Sequence, residues 1–427
     1  MMRRILHFSR AAAVALVAAA IAWAPIDRRA GAQEPVQAPA PPAPVVQVPV
    51  AMPGANALAA DPSALRGKRL GLVTHQAGVT ADGRLSSVAL SEVPGIQIAA
   101  LFAPEHGIDG NLDAAETVPT IVGRTPIYSL YGASFRPTRE MLSRIDALAV
   151  DLQDVGVRPF TYASTMSHVM SAAREAGKPV VILDRPNPMG GLTVDGPVLE
   201  PWLRSFIGMH AIPYVHGMTM GELASLYNSA FGIGAKLTVI KMQGWKRNMR
   251  WADTGLPWVN PSPGITGPDA TFHYAATGPT DGTNLWNGVA TESRFQVVLA
   301  KGWIDGPALA AALNAHNLPG VRFSPSAIPH PRTYEVWSGV RFHVTDPAAF
   351  QPSTSMIYVL AEIRRLYGAQ LVFRKPRRGP HLFDMVWGTA DVRLALTKGQ
   401  AAPAIVARWQ PALERFKRLR RAHLLYD

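Results

Sequence analysis

"ALAVDLQDVGVRPFTYASTMSHVMSAAREAGKPVVILD", Ala147 to Asp184, is the stretch that decides the fold. It opens and closes on short apolar runs, and each run ends in an aspartate. Continuous apolar runs suit parallel strands covered on both faces. Between them Met166, Val169, Met170 and Ala173 recur at i, i+3, i+4 and i+7. That spacing is one helix face, and Gly177 stands where a helix C-terminus favours a left-handed residue. Strand, helix, strand is the crossover that parallel pairing requires.

The alternation continues outward. "RLGLVTH" (69–75) and "IQIAALF" (96–102) read as two more apolar strands. Thr219 and Glu222 form a capping box ahead of Leu223, Leu226, Tyr227 and Ala230, and "KLTVIKM" (236–242) is a further strand. The pattern predicts an α/β, Rossmann-like doubly wound, mostly parallel sheet over residues 57–265. "GWKRNMRWADTGLPWVNPSPGITGP" (244–268) reads as a long ordered loop rich in Trp, Gly and Pro. Beyond it two helical patterns and the strand "GVRFHVTD" predict a second, smaller α+β domain over 266–427.

The 427 residues are 48% hydrophobic and 17% charged, a globular balance with ample apolar residues for a core. Residues 1–32 carry Arg3, Arg4 and Arg10 ahead of an apolar run, Ala11 to Ala24, and a small-x-small site at Ala30–Ala32. This is the anatomy of a secretory signal peptide. It predicts a periplasmic or secreted protein with no membrane span after cleavage. Its five Arg and one Asp account for +4 of the formal +12, leaving +8. Residues 33–56, rich in Pro and Ala, read as an extended tether, with the folded part beginning near Ala57. There is no cysteine, hence no disulfide and no thiolate chemistry. The basic tail "RFKRLRRAHLLYD" reads as a solvated helix face, and no nucleic acid is expected. Oligomeric state is not encoded in any legible pattern.

In open α/β sheets ligands bind beyond the carboxyl ends of the strands. Those ends are loaded here with polar groups. One runs into Thr74-His75-Gln76 and another stops on Pro104-Glu105-His106-Gly107. A third leads through Asp151, Gln153, Asp154 and Arg158 to Tyr162, and a fourth through Asp184, Arg185 and Asn187. His210 and His216 follow. Any one of these is more often a turn former or a cap; their convergence is the signal. Glu105 stands out, because a partly desolvated carboxyl after a rigid Pro suits a general acid. His106 is its neighbour and candidate helper. Glycoside hydrolysis takes a second carboxyl, for which Glu116, Asp109, Asp113, Asp154 and Asp184 are candidates. Trp245, Trp251, Trp258 and Trp286 offer faces for a sugar ring, Trp258 foremost, or pack the interior. No H-E-x-x-H, close His pair, phosphate loop or G-x-S-x-G elbow is present, so no metal and no cofactor is expected.

"LFAPEHGIDG", "DLQDVGVRPFTYASTM", "LDRPNPMGG", "VDGPVL", "HGMTMGEL", "GWKRNMRWADTGLPWVNPSP" and "DGTNLWNG" occur in this order. Through them the chain resembles the NamZ-type exo-β-N-acetylmuramidases, from about Leu65 to the terminal "LLYD". The resemblance implies a Rossmann-like domain joined to a smaller one, with the active site in the cleft between them. It implies release of N-acetylmuramic acid from the non-reducing end of peptidoglycan fragments, with Glu105 as the leading catalytic candidate. Glu116 matches an acidic position of the following loop. Arg158, Arg185 or Arg247 would pair with the muramyl carboxylate, and Asn284 would help hold the sugar. The sequence departs from the family pattern at Asp281 (usually Glu), at His75 (usually Asn), at Gly264 (usually Asn) and in "GVAT", which lacks the usual arginine. These departures motivate an alternative, a cell-wall sugar-binding relative without catalysis.

Overall fold

The computed structural model describes residues 50–110, 121–122 and 125–427. Glu116, Asp113, the signal-like segment and most of the expected tether lie outside them. In chain order the first elements are α1 (Gly54–Ala60), β1 (Arg69–Thr74), α2 (Ser86–Ser91), β2 (Gln97–Ala103), β3 (Ile121–Val122), β4 (Thr125–Ser129) and α3 (Arg139–Ser143). Then come β5 (Ala147–Asp151), α4 (Tyr162–Glu175), β6 (Pro179–Leu183), β7 (Asp195–Val198), β8 (Pro213–Val215), α5 (Met220–Ser229) and β9 (Lys236–Ile240). Seven of these strands form one sheet in the order β3-β4-β2-β1-β5-β6-β9, parallel except for the short β3.

The apolar runs are continuous because both faces of the sheet are covered. Ala100, Phe102, Leu148, Val150, Val180 and Ile182 face the core built with Met166, Val169 and Met170 of α4 and Leu223 and Leu226 of α5. The alternate residues Leu101, Ala103, Ala147, Ala149, Val181 and Leu183 face α1 and α2 through Leu58 and Leu90. Gly71 of β1 has no room for a side chain: a Cβ there would lie 2.6 Å from Cδ1 of Ile145. The capping box at α5 forms as its spacing predicts, with Thr219 N–H on Glu222 Oε2 at 3.1 Å.

α6 (Trp251–Thr254) packs on the first lobe beside Ala51, Met242 and Trp245. The second lobe contains α7 (Asp269–Thr277), β10 (Val297–Ala300), α8 (Gly306–Ala315), β11 (Val321–Pro329), β12 (Val336–Val344), α9 (Pro352–Tyr367), α10 (Leu382–Trp387), α11 (Asp391–Thr397) and α12 (Ala402–Arg420). Its sheet is antiparallel, in the order β10-β12-β11. The two lobes share one core, since the cluster that holds α4 and α5 also holds Val340, Leu360, Trp387 and Trp409. The ribbon β7–β8 leaves the main sheet and spans them. The Asp195 carboxylate accepts from Thr354 N–H and Oγ1, both at 2.9 Å, and so caps the start of α9.

Three expectations are corrected. The folded body begins before Ala57: Val50 N–H bonds Thr254 O, Met52 pairs with Gln243, and Ala51 and Leu58 are fully buried. The basic tail is not only a solvated face. Arg420 donates to the carbonyls of Gly191, His216 and Gly217, Leu425 N–H bonds Glu222, and Tyr426 Oη donates to Asp184. These contacts tie the second lobe back onto the first. Arg158 is not at a binding surface either. It is buried, and its guanidinium donates to Pro197 O (3.1 Å), Ile212 O (2.9 Å) and Val386 O (2.8 Å).

Arg158 thus satisfies carbonyls from three segments at once. Arg158→Leu should leave these acceptors buried without donors and cost about 3 kcal/mol or more. Thermal denaturation should show a clearly lower midpoint. An unchanged midpoint would mean that those carbonyls find other partners.

Candidate active site

β2 ends in a tight turn, with Gly107 N–H bonded to Pro104 O at 3.1 Å. His106 takes φ 70 at its third position, which usually calls for Gly or Asn. The turn puts Glu105 on the corner, half-buried, instead of letting it run on into solvent. Thr161 Oγ1 donates to Glu105 Oε2 at 2.6 Å. The Tyr131 hydroxyl also reaches the carboxylate; burial and that negative charge raise its pKa.

Glu105 and His106 open onto a cavity of about 250 Å³. Phe160, Thr161, Tyr162 and Ile207 line it from the first lobe, Ser262 and Gly264 from the loop between the lobes, and Ile265, Tyr274 and Phe295 from beyond. Phe295 is a second non-glycine residue at positive φ, 61°. Backbone strain therefore appears twice in one cavity wall, a distribution associated with functional sites. Tyr162 donates to Pro261 O at 2.6 Å. Tyr162 and Tyr274 are both held protonated, chiefly by burial and further by carboxylates that include Glu105 and Asp154. A larger cavity, about 480 Å³, lies beside Ser143 and Lys178, which precede β5 and β6. It is at the amino ends of the strands, the wrong end for chemistry in this architecture.

The remaining polar residues of the strand ends lie behind the cavity. Arg185 donates to Gln153 Oε1 (3.0 Å), Asp151 Oδ1 (3.0 Å) and Val79 O (2.9 Å). Gln153 in turn donates to Asp154 O and Pro186 O. Asp184 accepts from Thr219 and Tyr426 hydroxyls and from Arg185 and Gly221 N–H groups; burial nonetheless raises its carboxyl to about 6. Asn187 bonds Met218 O and Met189 N–H. Gln153, Asp184, Arg185 and Asn187 thus each bond neighbouring protein groups behind the cavity. Arg247 pairs with Glu222 and is equally committed. Asp154 differs. One oxygen accepts from Gly156 N–H at 2.7 Å and lies 3.5 Å from His216 Nε2, while Oδ1 has no partner. Met218 N–H donates to His216 Nδ1, so neutral His216 carries its proton on Nε2, toward Asp154.

Other expected contacts fall outside the cavity wall. Trp258 sits edge-on to Trp251 and donates to Asn260. Asn284 is paired in both directions with residues 370–372. Asp281 is exposed on one side but crowded by protein on the others, and that desolvation raises its carboxyl to about 6 against the opposing charge of Arg374.

Two family models match consecutive parts of the chain: "Exo-beta-N-acetylmuramidase NamZ, N-terminal" over residues 70–269 and "Exo-beta-N-acetylmuramidase NamZ, C-terminal" over 272–426. The chain belongs to the NamZ family. It is 40% identical over 370 residues to the peptidoglycan β-N-acetylmuramidase NamZ of Bacillus subtilis (strain 168), covering 85% of this chain and 88% of that one. Two crystal structures of DUF1343 family proteins from Bacteroides fragilis NCTC 9343 are similar. One has a TM-score of 0.83 at 35% identity, covering 89% of this chain and 100% of that one. The other has a TM-score of 0.70 at 29% identity, covering 88% and 99%.

Sequence reading of this NamZ family member found Glu105, His106 and Tyr162 in the cavity wall. It missed Thr161, Tyr274 and Phe295 in that wall, and Tyr131 close to Glu105. Thr161 stands at the N-cap of α4, where a hydroxyl normally accepts from the helix's own N–H groups. Here its side chain makes no cap bond and turns to Glu105. The sequence signal is that of an ordinary cap, and only geometry separates the two roles. Tyr274 and Phe295 come from the other lobe, and no local pattern links them to β2.

His75 closes the rear of the site. Its Nε2 accepts from Gln153 N–H at 3.0 Å, and burial, then the Arg185 charge, lowers its pKa to about 3. The unfolded chain binds that proton near pH 6.5. Between these values the unfolded state holds more protons, so stability falls as pH drops through this window. The contribution at pH 4.5 is on the order of 2–3 kcal/mol. His75→Gln keeps an acceptor and should narrow the gap between urea midpoints at pH 7.5 and 4.5. An unchanged gap would place the acid sensitivity elsewhere.

Proposed function

We propose that this chain is an exported exo-β-N-acetylmuramidase that releases N-acetylmuramic acid from the non-reducing end of peptidoglycan fragments. One observation carries the reading: Glu105 is held on a strained turn, by a hydroxyl donor, at the mouth of a cavity sized for one sugar. A space of about 250 Å³ takes one ring with its substituents and not a glycan chain, which supports an exo mode.

In this reading Glu105 is the general acid. Thr161 donates to Oε2, which leaves Oε1 to carry the proton toward the glycosidic oxygen as the C1–O bond breaks. Asp184 is unsuited to be the second carboxyl, because it is fully buried and accepts four hydrogen bonds. Asp154, within electrostatic range of Tyr162 and Tyr274, is the described candidate for the base, its unpartnered oxygen lying buried behind the cavity wall. Glu116, outside the described residues, and the substrate's own acetamido group are the other routes. Arg158 and Arg247 are engaged with other protein groups, which favours a further cation for the muramyl carboxylate. The exposed stretch Arg374-Lys375-Pro376-Arg377-Arg378 supplies positive charge next to Asp281, its backbone joined to Gly282 O at 2.7 Å. The signal-like N-terminus supports a periplasmic or secreted location, where the polymer is. No described helix is long and apolar enough to cross a membrane.

Purified protein lacking residues 1–32 should liberate N-acetylmuramic acid from a β-linked N-acetylmuramyl disaccharide, read by chromatography. Glu105→Gln should lower kcat by about 10³-fold or more and still bind the sugar. A parent that binds muramyl sugar without turnover would establish the binding-only alternative. Thr161→Val removes the donor at constant size; kcat should fall about 10-fold or more with KM little changed, and the pH–rate profile should shift. An unchanged profile would reduce Thr161 to packing.

A further inference from the structure

Beyond Glu105, on the side of β4, lies a strip of aromatic rings that the chemistry above does not use. Tyr131 lies two residues past the end of β4. Its ring centroid is 5.4 Å from Phe135 and 5.8 Å from Phe206. Phe135 and Phe206 are 4.4 Å apart, and His168 of α4 stacks on Phe206 at 6.1 Å. Phe135 is 38% exposed and the other two phenyl-bearing residues are half-buried. The loop that carries them is pre-set. Ser129 Oγ bonds both N–H and C=O of Tyr131, and Ser134 Oγ does the same for Arg136.

We propose that this strip is the aglycone subsite, where the sugar on the reducing side of the scissile bond stacks. The inference rests on the exo-muramidase reading. A general acid must touch the oxygen that joins two sugars, so the two sugars lie on either side of it. The cavity takes the terminal sugar. Tyr131, which begins the strip, lies near enough to Glu105 for its carboxylate to raise the Tyr131 hydroxyl's pKa, and Ile207, next to Phe206, lines the cavity. The two surfaces are therefore continuous through Glu105. In the sheet, β4 lies on one side of β2 while β1 and β5 lie on the other, so Tyr131 and Thr161 approach Glu105 from opposite flanks. The C–H faces of a pyranose are weakly positive and match the negative face of an aromatic ring. A rigid loop that already presents these rings loses little conformational entropy on binding. N-acetylglucosamine, the sugar β-linked to the muramyl residue in such fragments, is the occupant.

The test compares kcat/KM for N-acetylmuramyl-β-1,4-N-acetylglucosamine with that for methyl β-N-acetylmuramide, in the mature protein, Phe135→Ala, Phe206→Ala and Phe135→Tyr. Both alanine variants should lower the disaccharide-to-methyl ratio about tenfold or more, mainly through KM, whereas Phe135→Tyr should retain it. An unchanged ratio in Phe135→Ala, whose ring is exposed and whose fold is checked by its melting midpoint, overturns the proposal even if Phe206→Ala is unstable. If the parent cleaves neither substrate, the muramidase reading fails separately. Calorimetric binding of the disaccharide then decides the subsite: a tenfold loss in Phe135→Ala sustains it, and equal affinity overturns it.

Discussion

The structure depends on a sheet that is dry on both sides. Strands β1, β2, β5 and β6 alternate apolar residues into two separate cores, so beyond the exposed Arg69 and Gln97 at their amino ends they offer polar groups no water-facing side. Working groups are confined to the carboxyl ends, where the chain leaves the sheet and the backbone can turn. The same constraint makes those ends costly, since any polar group there that does not face the cavity must find a partner inside the protein.

That requirement explains the division of labour behind the site. Arg185, Gln153, Asp151 and Asp184 form a bonded layer beneath the cavity, and Arg158, Glu222 and Arg247 knit the second lobe onto it. Tyr426 and Leu425 extend the layer from the far end of the chain. These residues carry the charges that read as catalytic in a sequence, yet their geometry fits a foundation. What the foundation supports is smaller: Glu105 on its strained corner, Thr161 against it, and aromatic and phenolic walls from both lobes.

The sequence was most informative where a period or a spacing has one physical meaning. The apolar runs, the α4 face, the capping box at Thr219 and Glu222, and the abrupt stop at Pro104-Glu105-His106-Gly107 all stand in the structure as read. The reading was weakest where one residue type serves two purposes. An arginine after a strand can bind an anion or fasten three carbonyls, and Arg158 does the second. A threonine before a helix can cap it or hold a carboxylate, and Thr161 does the second. A Pro-rich segment can be a tether or the first packed turn, and residues 50–53 are the latter.

By itself the sequence determined the α/β layering, the strand ends as the place for chemistry, the family and the singular position of Glu105. These follow from local periodicity and from residues adjacent in the chain. Tertiary structure alone decided which polar groups face the cavity, because that depends on hydrogen bonds between residues far apart in sequence. It also decided that Tyr274 and Phe295 close the site from the second lobe, and that Tyr131, Phe135 and Phe206 meet in one strip. Those residues share no spacing that a helix or strand could impose, and only the packing of separate segments brings them together.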